Sequence, residues 1–322
     1  MSAKKENKEM YDVAIIGAGI VGLAGAIYAR RMNLKTIVFG NERGGTLAKT
    51  HIVENYPGFI SLSGLELTDK ILEHAKYYKP NIIMKDVIDI KKDEGRFKIL
   101  TNNDSYYAKT ILFATGSKYK ELNVKGEKEF KNKGVHYCAV CDGPLYKGGK
   151  TAVVVGGGDS AAKEALFLSE FFKEVHILTR TTLKPEPINL ERIKQNKKIH
   201  VHKNTEIKEI KGDKFVNEII LTKSINNSKS MKIDAIFVEI GHIPLSNLAI
   251  KLGVKVNDKK EIIITRETKT NIPGIYAAGD VGDLKFKQAI TGVGESVSAI
   301  YSIYEDLQKD EIALSWNLRI LN

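Results

Sequence analysis

Two cysteines, Cys138 and Cys141, stand in the run Gly134-Val135-His136-Tyr137-Cys138-Ala139-Val140-Cys141-Asp142-Gly143, and the 322-residue chain has no others. Two thiols at this spacing can close a small disulfide, and Asp142, directly after the second, is placed to move a proton beside them. Disulfide exchange runs through the thiolate, so such a site must lower at least one thiol pKa. A carboxylic acid within hydrogen-bond reach can then protonate the departing sulfur. Zinc takes about four ligands and one C-x-x-C supplies two. His136 is close but falls on the other side of a strand-like alternation, so no metal is expected. His136 itself reads as a packing or partner-contact residue rather than a base. The structural alternatives are an inert buried pair for the cysteines and a turn cap for Asp142.

Two glycine turns lie upstream and downstream of this run. Residues 11–16 (YDVAII) are apolar like a buried strand, and Gly17-Ala18-Gly19-Ile20-Val21-Gly22 follows. An alanine-rich helical pattern over 23–32 and a second strand over 36–39 come next. Strand, G-x-G-x-x-G and helix within about 30 residues form the dinucleotide fingerprint. Gly17 permits the tight turn, Gly19 lets the backbone approach a pyrophosphate, and Gly22 lets helix and strand pack closely. The helix start adds N–H groups and a positive dipole end. The acid expected at the end of the second strand is missing: Phe39 and Gly40 stand there, and Glu42 comes slightly late.

The second turn has a strand over 151–155, then Gly156-Gly157-Gly158-Asp159-Ser160-Ala161 and a helix over 162–169. Alanine replaces the third glycine, as the pattern allows. Its second strand, 175–178, ends at Thr179-Arg180, with Lys184 just beyond. An arginine there favours a 2′-phosphate where an acid would favour a bare ribose.

Net charge is +11, but the basic residues are scattered and no basic tract alternates with aromatics. A solvated lysine surface is expected, and no nucleic-acid function. No apolar run approaches the roughly 20 residues of a membrane span, and the charged first nine residues lack the apolar core of a signal peptide. The expected location is the cytoplasm, where a Cys pair is catalytic or metal-binding rather than structural. Between the turns, the pattern predicts a helix over 65–78, an antiparallel meander over 87–108 and a separate strand over 111–116. A charged linker over 118–133 leads to the Cys run. Short strands over 199–239 end at a second crossing marked by Gly241 and Pro244, and a helix over 295–307 closes the chain.

Eight stretches in order carry a resemblance: GAGIVG, NERGGTL, VENYPG, ATGS, CAVCDG, GGGDSA, GIYAAGDV and Lys287-Gln288-Ala289. From residue 11 to about 307 the chain resembles the low-molecular-weight thioredoxin reductases, of the pyridine nucleotide–disulfide oxidoreductase superfamily. The resemblance implies an α/β fold of two three-layer, Rossmann-like dinucleotide-binding domains, the second inserted into the first. FAD would occupy 1–119 with 243–322, and NAD(P)H would occupy 120–242, which also carries the C-x-x-C. Carried over residue by residue, FAD contacts fall at Gly17, Gly19, Gly22, Asn41, Glu42, Gly44, Gly45, Thr46, Asn55, Val87, Thr115 and Gly116. Further FAD contacts fall at Gly279, Asp280, Lys287, Gln288 and Ala289. Nicotinamide-cofactor contacts fall at Gly156, Gly158, Asp159, Ser160 and Arg180.

The implied activity passes electrons from NADPH through FAD and the Cys138–Cys141 disulfide to thioredoxin or a similar small disulfide protein, in a homodimer. Cys141 would be the sulfur nearer the flavin, Cys138 the thiol that attacks the partner, and Asp142 the acid. Both the dithiol and the nicotinamide must reach one flavin, so the crossings near 117–124 and 239–245 would serve as hinges. The chain departs from the family in two places. Lys287 stands where an arginine is usual and loses its planar fork. Thr179-Arg180-Thr181 stands where a His-Arg-Arg run is usual, so NADH, ferredoxin or another donor, or a different disulfide acceptor, are the enzymatic alternatives. A non-catalytic flavin-binding redox sensor is the non-enzymatic one.

Overall fold

The computed structural model describes residues 5–42, 44–50, 53–93 and 95–320; the side chains at 5–8, 49, 140–141 and 310–320 lie outside that description. The first elements are β1 (Lys5–Ile16), α1 (Ile20–Arg31), β2 (Thr36–Phe39), α2 (Gly64–Tyr77), β3 (Asn81–Ile83), β4 (Asp89–Asp93), β5 (Arg96–Leu100) and β6 (Asp104–Phe113). After β7 (Ser117–Tyr119) come β8 (Val135–His136), α3 (Ala139–Asp142), β9 (Gly149–Val155), α4 (Asp159–Leu168), β10 (Phe172–Thr179), α5 (Pro187–Gln195) and β11 (Ile199–Lys203). Then follow β12 (Ile207–Gly212), β13 (Val216–Ile225), β14 (Ser228–Lys232) and β15 (Ala235–Val238). The chain returns through β16 (His242–Pro244), which pairs with β7, and ends with α6 (Asn247–Lys251), β17 (Ile275–Ala277) and α7 (Ala289–Ile320). It divides into two compact units, Met1–Lys118 with Ile243–Asn322, and Tyr119–His242.

In the first unit the sheet order is β3-β2-β1-β6-β5-β4, with β17 also on β6. Side chains alternate across a strand, and β1 shows it. Val13 and Ile15 pack with Leu112, Tyr276, Ala299, Ile300 and Ile303 under α1 and α7. Ala14 and Ile16 face the opposite layer, made of Ile90, Phe97, Ile99 and Tyr106 of the meander together with Ala249, Val254 and Ile262. Helices, sheet and meander are the three layers.

Here the sequence expectation needs correcting. The meander's last strand and the strand expected over 111–116 are one strand, β6. It runs parallel to β1, antiparallel to β5 over 105–108 and parallel to β17 over 111–113. A single long strand can change partners along one edge, and local sequence carries no sign of that change. The closing helix also starts earlier and runs longer than expected. It is tied to β17 by the Tyr276 hydroxyl, which donates to Asp306 at 2.6 Å, while Lys269 reaches the same carboxylate.

A capping box starts α2: Ser63 accepts the Glu66 N–H, and Glu66 accepts the Ser63 N–H at 2.7 Å. Ser63→Ala is therefore expected to cost about 1 kcal/mol of stability, read as a lower urea midpoint with an unchanged slope.

The second unit repeats the plan. A parallel sheet ordered β11-β10-β9-β15-β8 lies between helices and a three-stranded antiparallel sheet, β12-β13-β14. Val154, Ile177 and Phe237 face Ala161, Ala165 and Leu168 of α4, while Val153, Val155 and Ile236 face Ile210, Ile219 and Leu221. Among the described residues, no helix is long and apolar enough to cross a membrane.

Candidate active site

Extended backbone ends at His136, and the chain turns helical from Ala139 to Asp142. Cys138 sits immediately before that turn, is 7% exposed and is disulfide-bonded. The backbone of Cys141 lies within α3, and its side chain is outside the described residues.

The strand-like alternation assumed for this run does not continue through it, and His136 is placed differently as a result. Its Nδ1 lies 3.0 Å from Asp142 Oδ2, an ion-pair distance without the alignment of a hydrogen bond. Its Nε2 lies 2.8 Å from the Tyr146 hydroxyl. The ring is 4% exposed and stacks on Phe237 at 5.3 Å. Asp142 caps no backbone N–H of the following turn; its carboxylate faces the imidazole instead. Burial lowers the His136 pKa below its ordinary value, and Asp142 only partly offsets this. Burial, and then the charge of Asp142, raises Tyr146. Neutral imidazole and protonated phenol therefore stand behind Asp142 at neutral pH. His136 is a packing residue, as the sequence suggested; its approach to Asp142 and to Tyr146 was not readable there.

At the glycine turn of the same unit, a Cβ on Gly156 would meet the Glu239 carbonyl at 2.3 Å, and one on Gly157 would meet Thr179 Oγ1 at 2.7 Å. Gly158 is open, with no atom within 4 Å, and no side chain caps α4. A closed floor with an open, uncapped helix start fits a pyrophosphate. The contact with Thr179 brings the end of β10, and exposed Arg180 beyond it, alongside the turn. Ser160 is exposed on the first turn of α4. Asp159 is directed inward: it accepts from Glu186 N–H and Asn189 Nδ2, both at 2.8 Å, and pairs with Lys163 at 2.8 Å. These bonds outweigh burial and hold its pKa below the usual carboxylate value.

The turn of the first unit is closed beneath and open in front. Gly17 has φ +124°, and a Cβ there would meet the Ala114 carbonyl at 2.1 Å; one on Gly22 would meet the Gly17 carbonyl at 1.9 Å. Only glycine fits either place. In front of Gly19 the nearest atom is Gly44 O at 3.8 Å, and α1 has no side-chain cap. This is a cradle that a dinucleotide phosphate could enter.

The other predicted residues of this unit fall into small groups. Gly44 bridges to Gly19, and Gly45 follows with φ +59°. Thr46 donates to Ser117 O at 3.4 Å, and Asn55 donates to Gln288 Oε1 at 2.9 Å. Ser117 Oγ donates to Asp280 at 3.4 Å, and Lys287 reaches Asp280 O at 2.8 Å and Glu261 at 2.6 Å. Thr115 donates to Leu245 O at 2.8 Å, and no atom crowds Gly116. Gly279 N–H donates to Glu295 at 2.8 Å, and Ala289 begins α7. Asn41 donates to Asp86 at 2.7 Å, next to half-buried Val87, and Glu42 is exposed nearby in sequence. Ser117, Glu261 and Glu295 hold this group and were not anticipated, because each lies far in sequence from the residue it positions.

The model of the pyridine nucleotide-disulphide oxidoreductase family matches residues 11–296. A thioredoxin reductase of Mycoplasma genitalium is 34% identical over 306 residues, covering 94% of this chain and 97% of that protein. One of Bacillus subtilis is 37% identical over 311 residues, covering 94% and 97%. The crystal structure of Lactococcus lactis thioredoxin reductase matches with a TM-score of 0.87 at 34% identity, covering 92% of this chain and 98% of that one. The chain belongs to the pyridine nucleotide-disulphide oxidoreductases and, among them, to the thioredoxin reductases.

Proposed function

We propose that this protein reduces the disulfide of thioredoxin with its own Cys138–Cys141 pair, working as a cytoplasmic homodimer with FAD and NADPH. FAD belongs to the Met1–Lys118 and Ile243–Asn322 unit, where Gly17, Gly19, Gly22, Gly44, Gly45, Asn55, Asp280, Lys287 and Gln288 would hold it. NADPH would be held by the Tyr119–His242 unit, where Gly156, Gly158 and Ser160 would receive the pyrophosphate and Arg180 the 2′-phosphate. When bound, the flavin supplies a two-electron carrier between a nicotinamide hydride and a disulfide.

The remaining chemistry belongs to the chain's own residues. The Cys138 thiolate attacks one sulfur of the thioredoxin disulfide, forming a mixed disulfide and expelling the other sulfur, which takes up a proton. Cys141 then attacks Cys138, re-forming the internal disulfide and releasing the second thioredoxin thiol. Two electrons leave the dithiol and two reach thioredoxin. Asp142 manages the proton, and neutral His136, bonded to Tyr146, stands beside that carboxyl and shields it on one side. The observation that carries this reading is a disulfide-bonded cysteine at the start of a helical turn whose acid lies 3.0 Å from a buried imidazole.

Anaerobic titration with NADPH and separately with NADH, followed by addition of thioredoxin, tests it. NADPH is expected to bleach the flavin and thioredoxin to restore its colour. Bleaching by neither nucleotide removes the nicotinamide from the scheme. Asp142→Asn is expected to slow thioredoxin turnover by about 10²-fold while the NADPH-driven bleaching rate stays unchanged.

A further inference from the structure

Behind the C-x-x-C turn lies a pair of buried carboxyl groups that this scheme leaves unused. Glu164 projects from α4, and its Oε1 accepts the backbone N–H of Ala139, the first residue of α3, at 3.1 Å. Glu239 directly follows β15 and is 8% exposed. The two carboxyls lie close enough to act on each other's charge. Glu164 Oε2 is sealed from solvent, and no N–H or hydroxyl of the described residues reaches it.

An ionised carboxylate only accepts. Two of them in contact out of water are stable only when one keeps a proton. A proton on Glu239 directed at Glu164 supplies the donor that Oε2 lacks. Burial is the main reason both carboxyls hold protons more tightly than usual, Glu164 to about 7 and Glu239 to about 9, the latter helped by the charge of Glu164. Asp142 of α3 adds negative charge on Glu164, and His136 of β8 and Tyr146 stand beyond Asp142. Among the described residues, no lysine or arginine acts on either carboxyl.

We propose that Glu164 and Glu239 share one proton and act as a positioning pair for the dithiol: bonded to the first N–H of the C-x-x-C turn, they bind a second proton when the disulfide is reduced and release it when the disulfide re-forms. The proposal rests on the reading of Cys138–Cys141 as the cycling disulfide. Reduction adds two electrons and one proton to give a thiol and a thiolate. The thiolate's charge arises beside the pair and makes its remaining negative charge costlier, so one further proton enters from solvent. By reciprocity, the neutralised pair favours the thiolate that attacks the partner.

The test equilibrates holoenzyme with dithiothreitol redox buffers between pH 6 and 9.5, quenches in acid, alkylates, and counts reduced cysteines by mass. Between about pH 7 and 9, wild-type reduction is expected to take up more protons than that of Glu164→Gln, which removes the group that receives the second proton. Its equilibrium constant then falls up to tenfold more per pH unit, about 30 mV for a two-electron couple. Glu164→Asp restores part of the extra slope. Parallel curves for wild type and Glu164→Gln overturn the proposal. If Glu164→Gln does not fold, Glu164→Leu makes the same comparison under the same criterion. A wild-type disulfide that no buffer ratio opens defeats the dithiol reading itself, and with it the role of the pair.

Discussion

Cys138→Ser is expected to lower thioredoxin reduction by on the order of 10³-fold or more while NADPH still bleaches the flavin. A serine hydroxyl cannot attack a disulfide sulfur at neutral pH, and no other described residue replaces it. The environment supports the difference: Cys138 opens a helical turn, where amide N–H groups favour a thiolate. Neutral His136 lies beside Asp142, the last residue of that turn. Stopped-flow absorbance gives the bleaching rate, and a coupled thioredoxin assay gives turnover. Loss of both activities would mean that the order of the two sulfurs is reversed, with Cys138 serving the flavin.

Two substitutions in the first glycine turn are expected to separate cofactor binding from folding. Gly22→Ala places a methyl carbon 1.9 Å from the Gly17 carbonyl, a backbone atom that cannot move aside. Overpacking of this kind costs about 1–3 kcal/mol or more, and the protein should be both less stable and colourless. Gly19→Ala meets no atom closer than 3.8 Å, at an ordinary φ of −75°. Stability should then change by about 1 kcal/mol or less. The methyl nevertheless stands before the uncapped start of α1, and FAD retention should fall more than tenfold. Flavin absorbance per protein and thermal unfolding of the stripped protein separate the two. A Gly19→Ala protein that purifies yellow, with wild-type flavin content, would move the pyrophosphate away from this turn.

These contrasts explain what was readable in advance. Both glycine turns were legible because their geometry is local: Gly17, Gly19 and Gly22 act within six residues, and the strand and helix on either side are periodic. The Cys-x-x-Cys-Asp run was legible for the same reason. The proton environment of that run was not. The change from strand to helix between His136 and Ala139 has no sequence mark, and it turns His136 toward Asp142. β6 was divided in two by a reading that looks for one partner per strand, whereas its second edge serves both β5 and β17.

By itself, the sequence determined the family, the two dinucleotide turns and the disulfide pair, all carried by motifs of short spacing. Tertiary structure alone decided which groups surround them. Glu164 and Glu239 stand far apart along the chain and meet only because α4 packs against the sheet beside β15. Glu295 reaches Gly279 only because α7 covers the end of β17. Burial and contact set protonation, and both are properties of the folded chain.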